Sequence, residues 1–206
     1  IEKLYPVYKS IKKVSENNLI KNKNVIGFVG APWTLLVYMI NKHSPKKELI
    51  KDFFKDEFLI NRILIILEKF LKLHIDQQIK SGATLIQIFD SWVGALTVDD
   101  YRKFVLPHTK NVFAELSRLH PEVAGIHFGV NCAHLLEAMH EAGASIMGID
   151  ATISLQAVRD RLGANVVLQG NLNTDRVLEG VEPALAAADE VLASNAQHPG
   201  HIFNLG

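Results

Sequence analysis

The sequence has 206 residues, 48% of them hydrophobic, and its 22 basic and 22 acidic side chains cancel at pH 7. That is enough apolar material for a sizeable core in one or two domains, and we read one domain over residues 1–206. A single cysteine, Cys132, excludes an internal disulfide and any Cys-pair zinc or redox motif, so a reducing, cytoplasmic setting is expected. In chain order, Ile1, Leu4, Tyr5, Tyr8, Ile11 and Val14 recur near helical spacing among charges and predict an amphipathic helix, not a signal peptide. A chain that begins with Ile part-way into a helix is expected to lack its true N-terminus. The polar link Glu16–Lys23 leads to a short strand, Asn24–Gly30, and Pro32 suits the first turn of a helix through Ile40.

A linker, Asn41–Lys47, carries His43 and Pro45, and a long apolar helix is predicted over Phe58–Ser81, with Gly82 at its C-terminus. Its most apolar run, Ile63–Leu67, is closed by Glu68 and Lys69, too short to span a bilayer, so no membrane partner is expected. The central strand Thr84–Asp90 is a β-branched, apolar run that reaches a carboxylate, a hydroxyl, an indole and a glycine in Asp90-Ser91-Trp92-Val93-Gly94. Thr97 is an N-cap candidate for a helix to about Leu119, which Pro107 should bend or split. Further strands are predicted at Val123–Phe128, finishing in Gly129, at Ser145–Asp150, at Asn165–Gly170 and at His201–Leu205. The intervening helices are Ala133–Ala142, Leu155–Leu162 and Pro183–Asn195, the first two stopped by Gly143 and Gly163.

Six short apolar strands alternating with helices imply a parallel α/β sheet with right-handed crossovers. No Gly-x-Gly-x-x-Gly follows a strand, which removes the usual open-sheet dinucleotide signature. A polar residue near the end of almost every strand favours a TIM-type barrel, whose chemistry sits at the C-terminal rim. A full (β/α)8 barrel takes roughly 250 residues, so the expected fold is an incomplete barrel of about six of eight units.

The strand ends offer Phe28 and Gly30, Asp90 and Ser91, His127 and Gly129, Asp150, Gln169 and Asn171, and Asn204, and a closed barrel should converge them on one pocket. Asp90 and Asp150 could then act as an acid–base pair. A Ser91–His127–Asp150 triad lacks the strained nucleophile elbow. His127, Cys132 and His134 lie close in sequence but share no vertex, so no metal is expected, and Cys132 reads as a small buried residue at a helix start. Residues 1–110 hold 16 lysines and two arginines against 11 acids, and residues 111–206 four arginines against 11 acids, so a charge of +7 is offset by −7. Alanine shifts likewise, from 3 to 15. The lysines form no aromatic-interleaved patch, and no nucleic-acid partner is expected.

The stretches I-G-F-V-G-A-P-W-T-L-L-V-Y-M-I, I-Q-I-F-D-S-W-V-G-A-L, G-I-D, L-Q-G-N-L and H-I-F-N-L-G resemble, in order and spacing, the uroporphyrinogen decarboxylase family, over essentially the whole chain. The resemblance implies a (β/α)8 barrel, usually a homodimer, that removes carbon dioxide from the four acetate side chains of uroporphyrinogen III to give coproporphyrinogen III without metal or coenzyme. It further implies that Tyr38 and Ser91 contact substrate carboxylates and that Phe28 and Phe89 line the cleft. Asp90 is then expected to hold its loop in place. The family's arginine-rich motif and its principal aspartate are expected upstream of Ile1, so no catalytic residue is expected in this chain and the fragment should be inactive alone. The family's histidine after Asn-Leu-Gly would follow Gly206, and Ala151 stands where the family usually has tryptophan. Because the resemblance runs unbroken across residue 110, the compositional break is no domain boundary. It reads as two genomic backgrounds or as drift between surfaces. A cobamide-dependent methyltransferase of the same superfamily would need cysteine where Gly129 stands, and a non-catalytic tetrapyrrole-binding module is the further alternative.

Overall fold

The computed structural model describes residues 1–41, 56–198 and 200–206; His43 and Pro45 of the predicted linker lie outside them. Among the described residues, six strands form one parallel sheet in sequential order: β1 (Ile26–Gly30), β2 (Leu85–Asp90), β3 (Ala124–Gly129), β4 (Ile146–Gly148), β5 (Leu168–Leu172) and β6 (His201–Leu205). Before the sheet comes α1 (Tyr5–Ser15), and between β1 and β2 come α2 (Pro32–Asn41) and α3 (Glu57–Lys80). Pro32 opens α2, where its missing N–H costs nothing. Asp56 caps α3, its side chain accepting from the Leu59 N–H. The end of α3 passes into Gly82 at φ +110°, where a side chain would collide with Ser15 Oγ.

Thr97 accepts from the Asp100 N–H at the start of α4 (Val98–Asp100), as the sequence predicts. Pro107 cannot donate to the preceding turn, and the helix takes π geometry over Tyr101–Val105 before continuing as α5 (Leu106–Leu119). The later helices are α6 (Leu136–His140), α7 (Leu155–Leu162), α8 (Thr174–Leu178) and α9 (Val181–Asn195). Three strand expectations shift by two residues or more; the first strand begins at Ile26, not Asn24. The fourth strand pairs only over Ile146–Gly148, because Asp150 turns the chain by accepting from Thr152. The fifth begins at Leu168, not Asn165, because the Arg159 guanidinium takes the carbonyls of Ala164 and Val166, and it extends to Leu172 along β6.

Strand alternation assigns the two faces. Val29, Ile86, Ile88, Met147 and Leu168 face the helices and are buried with Trp33, Leu36, Leu64, Leu71 and Phe113. Each such side chain contributes about 1.5–3 kcal/mol by leaving water. On the opposite face, register aligns Phe28 with Gln87, Phe89 with Phe128, and Gln169 with Ile202. Gln169 Nε2 donates to Gln87 Oε1 at 3.2 Å, from β5 to β2. In a flat sheet three strand spacings would separate them by about 14 Å. The sheet therefore curls around this face into the arc of a TIM-type barrel. At the β1 side of the arc, Gln78 of α3 accepts from the Phe28 N–H and donates to the Phe28 carbonyl. Gly27 permits that approach, since a Cβ there would lie 2.7 Å from Gln78 Oε1.

Glu68 clasps α3 to α5. It is 8% exposed and pairs with Lys72 at 2.7 Å, His108 Nδ1 at 2.9 Å and Asn111 Nδ2 at 3.2 Å. Burial pushes its carboxyl up, but the hydrogen bonds from Lys72, His108 and Asn111 outweigh this and hold it below the ordinary 4.5. Its stabilisation is complete above that ordinary value and is lost as pH falls through the lower folded value. Glu68→Gln is expected to cost about 2 kcal/mol at pH 7. In thermal melts across pH, that gap to the wild type should close on the acid side of 4.5; a gap that persists at about pH 2 would show that the ionised clasp is not its source.

Candidate functional site

The concave face of the arc holds a cavity of about 340 Å³. Ile26, Phe28, Gln87 and Phe89 line one side, and Gln169, Ile202, Phe203 and Asn204 the other. Phe28, Phe89 and Phe128 form an edge-to-face series with centroids 6.0 and 5.8 Å apart. Phe28 is 63% exposed, with its ring open to the cavity. Among the described residues, no ionisable side chain lines this cavity.

At the C-terminal end of β2 the chain opens into Ser91 and Trp92. Tyr38, on α2 and 43% exposed, stands edge-on to Trp92 with centroids 6.0 Å apart. Ser91 is partly exposed beside that pair. The structure thus gathers the four expected site residues in two groups: Phe28 and Phe89 inside the cleft, Tyr38 and Ser91 by the rim loop. Trp92 drew no role from sequence, although it lies within the same motif. Its indole Nε1 is buried without a partner among the described residues, and its ring carries Tyr38.

Asp90 and His127 do not converge on the cleft. Strand alternation turns both toward the helices, opposite Phe89 and Phe128, and both are fully buried. His127 Nε2 lies 3.2 Å from Asp90 Oδ2, its Nδ1 lies 3.3 Å from the Met139 carbonyl, and its ring packs on Phe113. Asp90 Oδ1 and the Tyr101 hydroxyl have no partner among the described residues. Burial, with the Asp90 charge second, pushes the Tyr101 phenol well above its ordinary value. The acid–base pair and the triad that the sequence allowed are therefore not assembled. Asp90 pairs with His127 and, among the described residues, makes no hydrogen bond to the loop that follows it, whereas Asp150 holds the loops after β3 and β4, accepting from the Asn131 N–H at 2.6 Å, the Thr152 N–H at 3.1 Å and the Thr152 hydroxyl at 2.5 Å. The rim continues through Asn171, whose Nδ2 donates to the carbonyls of Asp150 and Ile153.

His134 Nε2 bonds the Leu96 carbonyl at 2.8 Å, tying the loop after β3 to the loop after β2. Cys132 is buried, and burial, followed by the charges of Asp150 and Asp90, pushes its thiol up to about 12. A thiol so placed is an inert packing group at physiological pH. Its neighbour Gly129 has no room for a side chain, since a Cβ would lie 2.9 Å from Cys132 Sγ.

The uroporphyrinogen decarboxylase family profile matches residues 1–206. The chain is 40% identical over 194 residues to the uroporphyrinogen decarboxylase of Rhodococcus opacus, covering 88% of this chain and 53% of that protein. It is 35% identical over 209 residues to that of Nostoc punctiforme, covering 100% and 58% respectively. Among solved structures, a methyltransferase from Methanosarcina mazei superposes with a TM-score of 0.77 over 97% of this chain and 58% of that one. At 18% identity this is a likeness of fold alone. The chain spans about half the length of the curated relatives it matches.

Proposed function

We propose, from the premise that the chain belongs to the uroporphyrinogen decarboxylase family, that it forms one partial-barrel domain carrying the substrate cleft of such an enzyme. The reaction takes uroporphyrinogen III to coproporphyrinogen III in haem biosynthesis, in the cytoplasm, and the full-length protein works as a homodimer without metal or coenzyme. Each acetate arm loses its carboxylate as carbon dioxide after a pyrrole carbon is protonated, so that the ring accepts the electron pair. A second proton then completes the methyl group and the ring carbon releases the first, so each arm takes up one proton net for the carbon dioxide it loses. For such a reaction the protein positions the macrocycle, balances charge and supplies protons.

The observation that carries this reading is the aromatic cleft inside the arc, with Phe28 and Phe89 in its walls; Tyr38 stands against Trp92 in the loop after β2, next to Ser91. Phenylalanine edges suit the faces of pyrrole rings. The Tyr38 and Ser91 hydroxyls are of the type that binds substrate carboxylates. Among the described residues the cleft offers no charged group, which favours a second reading for the isolated chain: it binds a tetrapyrrole without converting it.

The test is anaerobic titration of the chain with uroporphyrinogen III, followed by tryptophan fluorescence, since Trp92 sits against Tyr38. Saturable quenching is expected, with Tyr38→Phe and Ser91→Ala each weakening binding about fivefold. Absence of saturable binding by the wild-type chain would overturn the reading.

A further inference from the structure

We propose that Gln78 is a positioning residue for the Phe28 wall of the cleft, held in its orientation by a neutral His74, so that protonating His74 slackens the wall and weakens ligand binding. The ligand part of this inference rests on the reading above. Strand β1 turns its peptide groups to alternate sides. The Val25 carbonyl takes the Thr84 N–H and the Ala31 N–H reaches the Phe89 carbonyl, so the odd-numbered residues serve β2. Phe28 therefore presents its N–H and C=O on the other side, where the buried Gln78 carboxamide meets both. Oε1 accepts from the N–H at 3.1 Å and Nε2 donates to the C=O at 3.0 Å. One side chain thus takes the place of a neighbouring strand residue. It holds the backbone from which the Phe28 ring projects to within 6.0 Å of the Phe89 ring.

This pairing decides where a proton sits. A flipped amide would set oxygen against the Phe28 carbonyl and nitrogen against its N–H, so the direction of the Gln78 amide is fixed. Its second Nε2 hydrogen then meets His74 Nε2, 3.2 Å away, which has to accept. The ring proton accordingly sits on Nδ1 and donates to the Tyr8 hydroxyl at 2.8 Å. A protonated His74 would carry N–H groups on both nitrogens and face Gln78 donor to donor, so the amide could no longer bond Phe28 and His74 at once. Around His74, α1 brings the Tyr8 phenol, α3 the Phe70 ring stacked at 5.8 Å, and the start of the chain the Ile1 ammonium, while the residues of β1 are all apolar or glycine. Burial first, and that ammonium second, hold the imidazole below its ordinary 6.5. The clamp is therefore complete above 6.5 and is lost as pH falls through the lower folded value.

The experiment follows the His74 ring nitrogens and hydrogen exchange of the Phe28 amide by NMR in the wild type, His74→Gln and Gln78→Leu. Uroporphyrinogen III affinity is measured alongside, at about pH 7.5 and about pH 5, on either side of the histidine range. At the higher pH His74 is expected to show the Nδ1–H tautomer, and Gln78→Leu should speed exchange at Phe28 about tenfold. At the lower pH the wild type should lose protection at Phe28 as His74 titrates, and lose about threefold more affinity than His74→Gln loses over the same interval. Glutamine at position 74 still accepts from Gln78 but takes no proton, whereas the substrate carboxylates and the other histidines titrate alike in both proteins. An Nε2–H tautomer, exchange at Phe28 indifferent to Gln78→Leu, or the same pH profile in the wild type and His74→Gln would overturn the proposal. The tautomer is read in the unsubstituted chain, so it decides even where a variant fails to fold. If tautomer and exchange follow expectation but the wild-type chain binds no uroporphyrinogen III, the functional reading falls and the ligand part of this inference with it. If the chain binds and its pH profile matches that of His74→Gln, this inference falls alone.

Discussion

Incubated with uroporphyrinogen III, the isolated 206-residue chain is expected to release no carbon dioxide above the uncatalysed background. The reason lies in where its charges are. The two carboxylates closest to the strand ends are engaged elsewhere, Asp90 with His127 behind the sheet and Asp150 with Asn131 and Thr152 in the rim. The guanidinium groups are no more available. Arg102, Arg118, Arg161 and Arg176 pair with Glu141, Glu115, Glu137 and Glu179. Arg159 holds carbonyls ahead of β5, and Arg62 lies over the Phe58 ring. Among the described residues, a substrate with many carboxylates thus meets two hydroxyls and several amides, with no fixed cation in the cleft and no proton donor of suitable acidity. Removing a single pre-organised electrostatic group from an enzyme site costs on the order of 10² to 10³ in rate, and this cleft lacks the whole set. The assay is chromatography of the oxidised porphyrins after anaerobic incubation. Any enzyme-dependent heptacarboxylate or coproporphyrin peak would show that groups within this chain suffice for the chemistry.

How far the sequence disclosed this arrangement differs from one feature to the next. Period and punctuation placed all six strands, and α7 and β6 fall on their expected limits because Ser154, Gly163 and the alternating run His201–Leu205 state them locally. The start of β5 is not legible in sequence, since it depends on Arg159 reaching the carbonyls of Ala164 and Val166 across a turn. The short α8 has no counterpart among the predicted helices, even though Asn173 caps it through Asp175. At the site, the motif locates Phe89 and Ser91, and strand alternation alone is enough to separate Asp90 from Phe89. Treating all strand-end residues as convergent ignores that adjacent residues point to opposite faces. The Gln87–Gln169 contact is illegible for a different reason: it is made by curvature of the sheet, which no local pattern encodes.

His127→Leu is expected to destabilise the fold more than Glu68→Gln does, by about 3–5 kcal/mol. The substitution keeps apolar volume against Phe113 but takes away the hydrogen bond to Asp90 Oδ2, when Oδ1 is already unpaired among the described residues, at a position with no exposure. At roughly 2–4 °C per kcal/mol for a chain of this size, the melting temperature should fall by about 10 °C. Replacing Asp90 as well removes the stranded carboxylate, so Asp90→Leu/His127→Leu should recover much of the loss, as buried ion pairs often tolerate apolar replacement. That recovery is the sign of a buried pair that stabilises by mutual satisfaction, and its absence would mean that His127 acts through Met139 or Phe113 instead. The same variants decide which side of the sheet Asp90 serves. Because the pair faces the helices, the double variant should bind uroporphyrinogen III as the wild type does, measured well below its melting point. A more than tenfold loss of affinity in a fully folded double variant would return Asp90 to the cleft, against the alternation that turns Phe89 toward it.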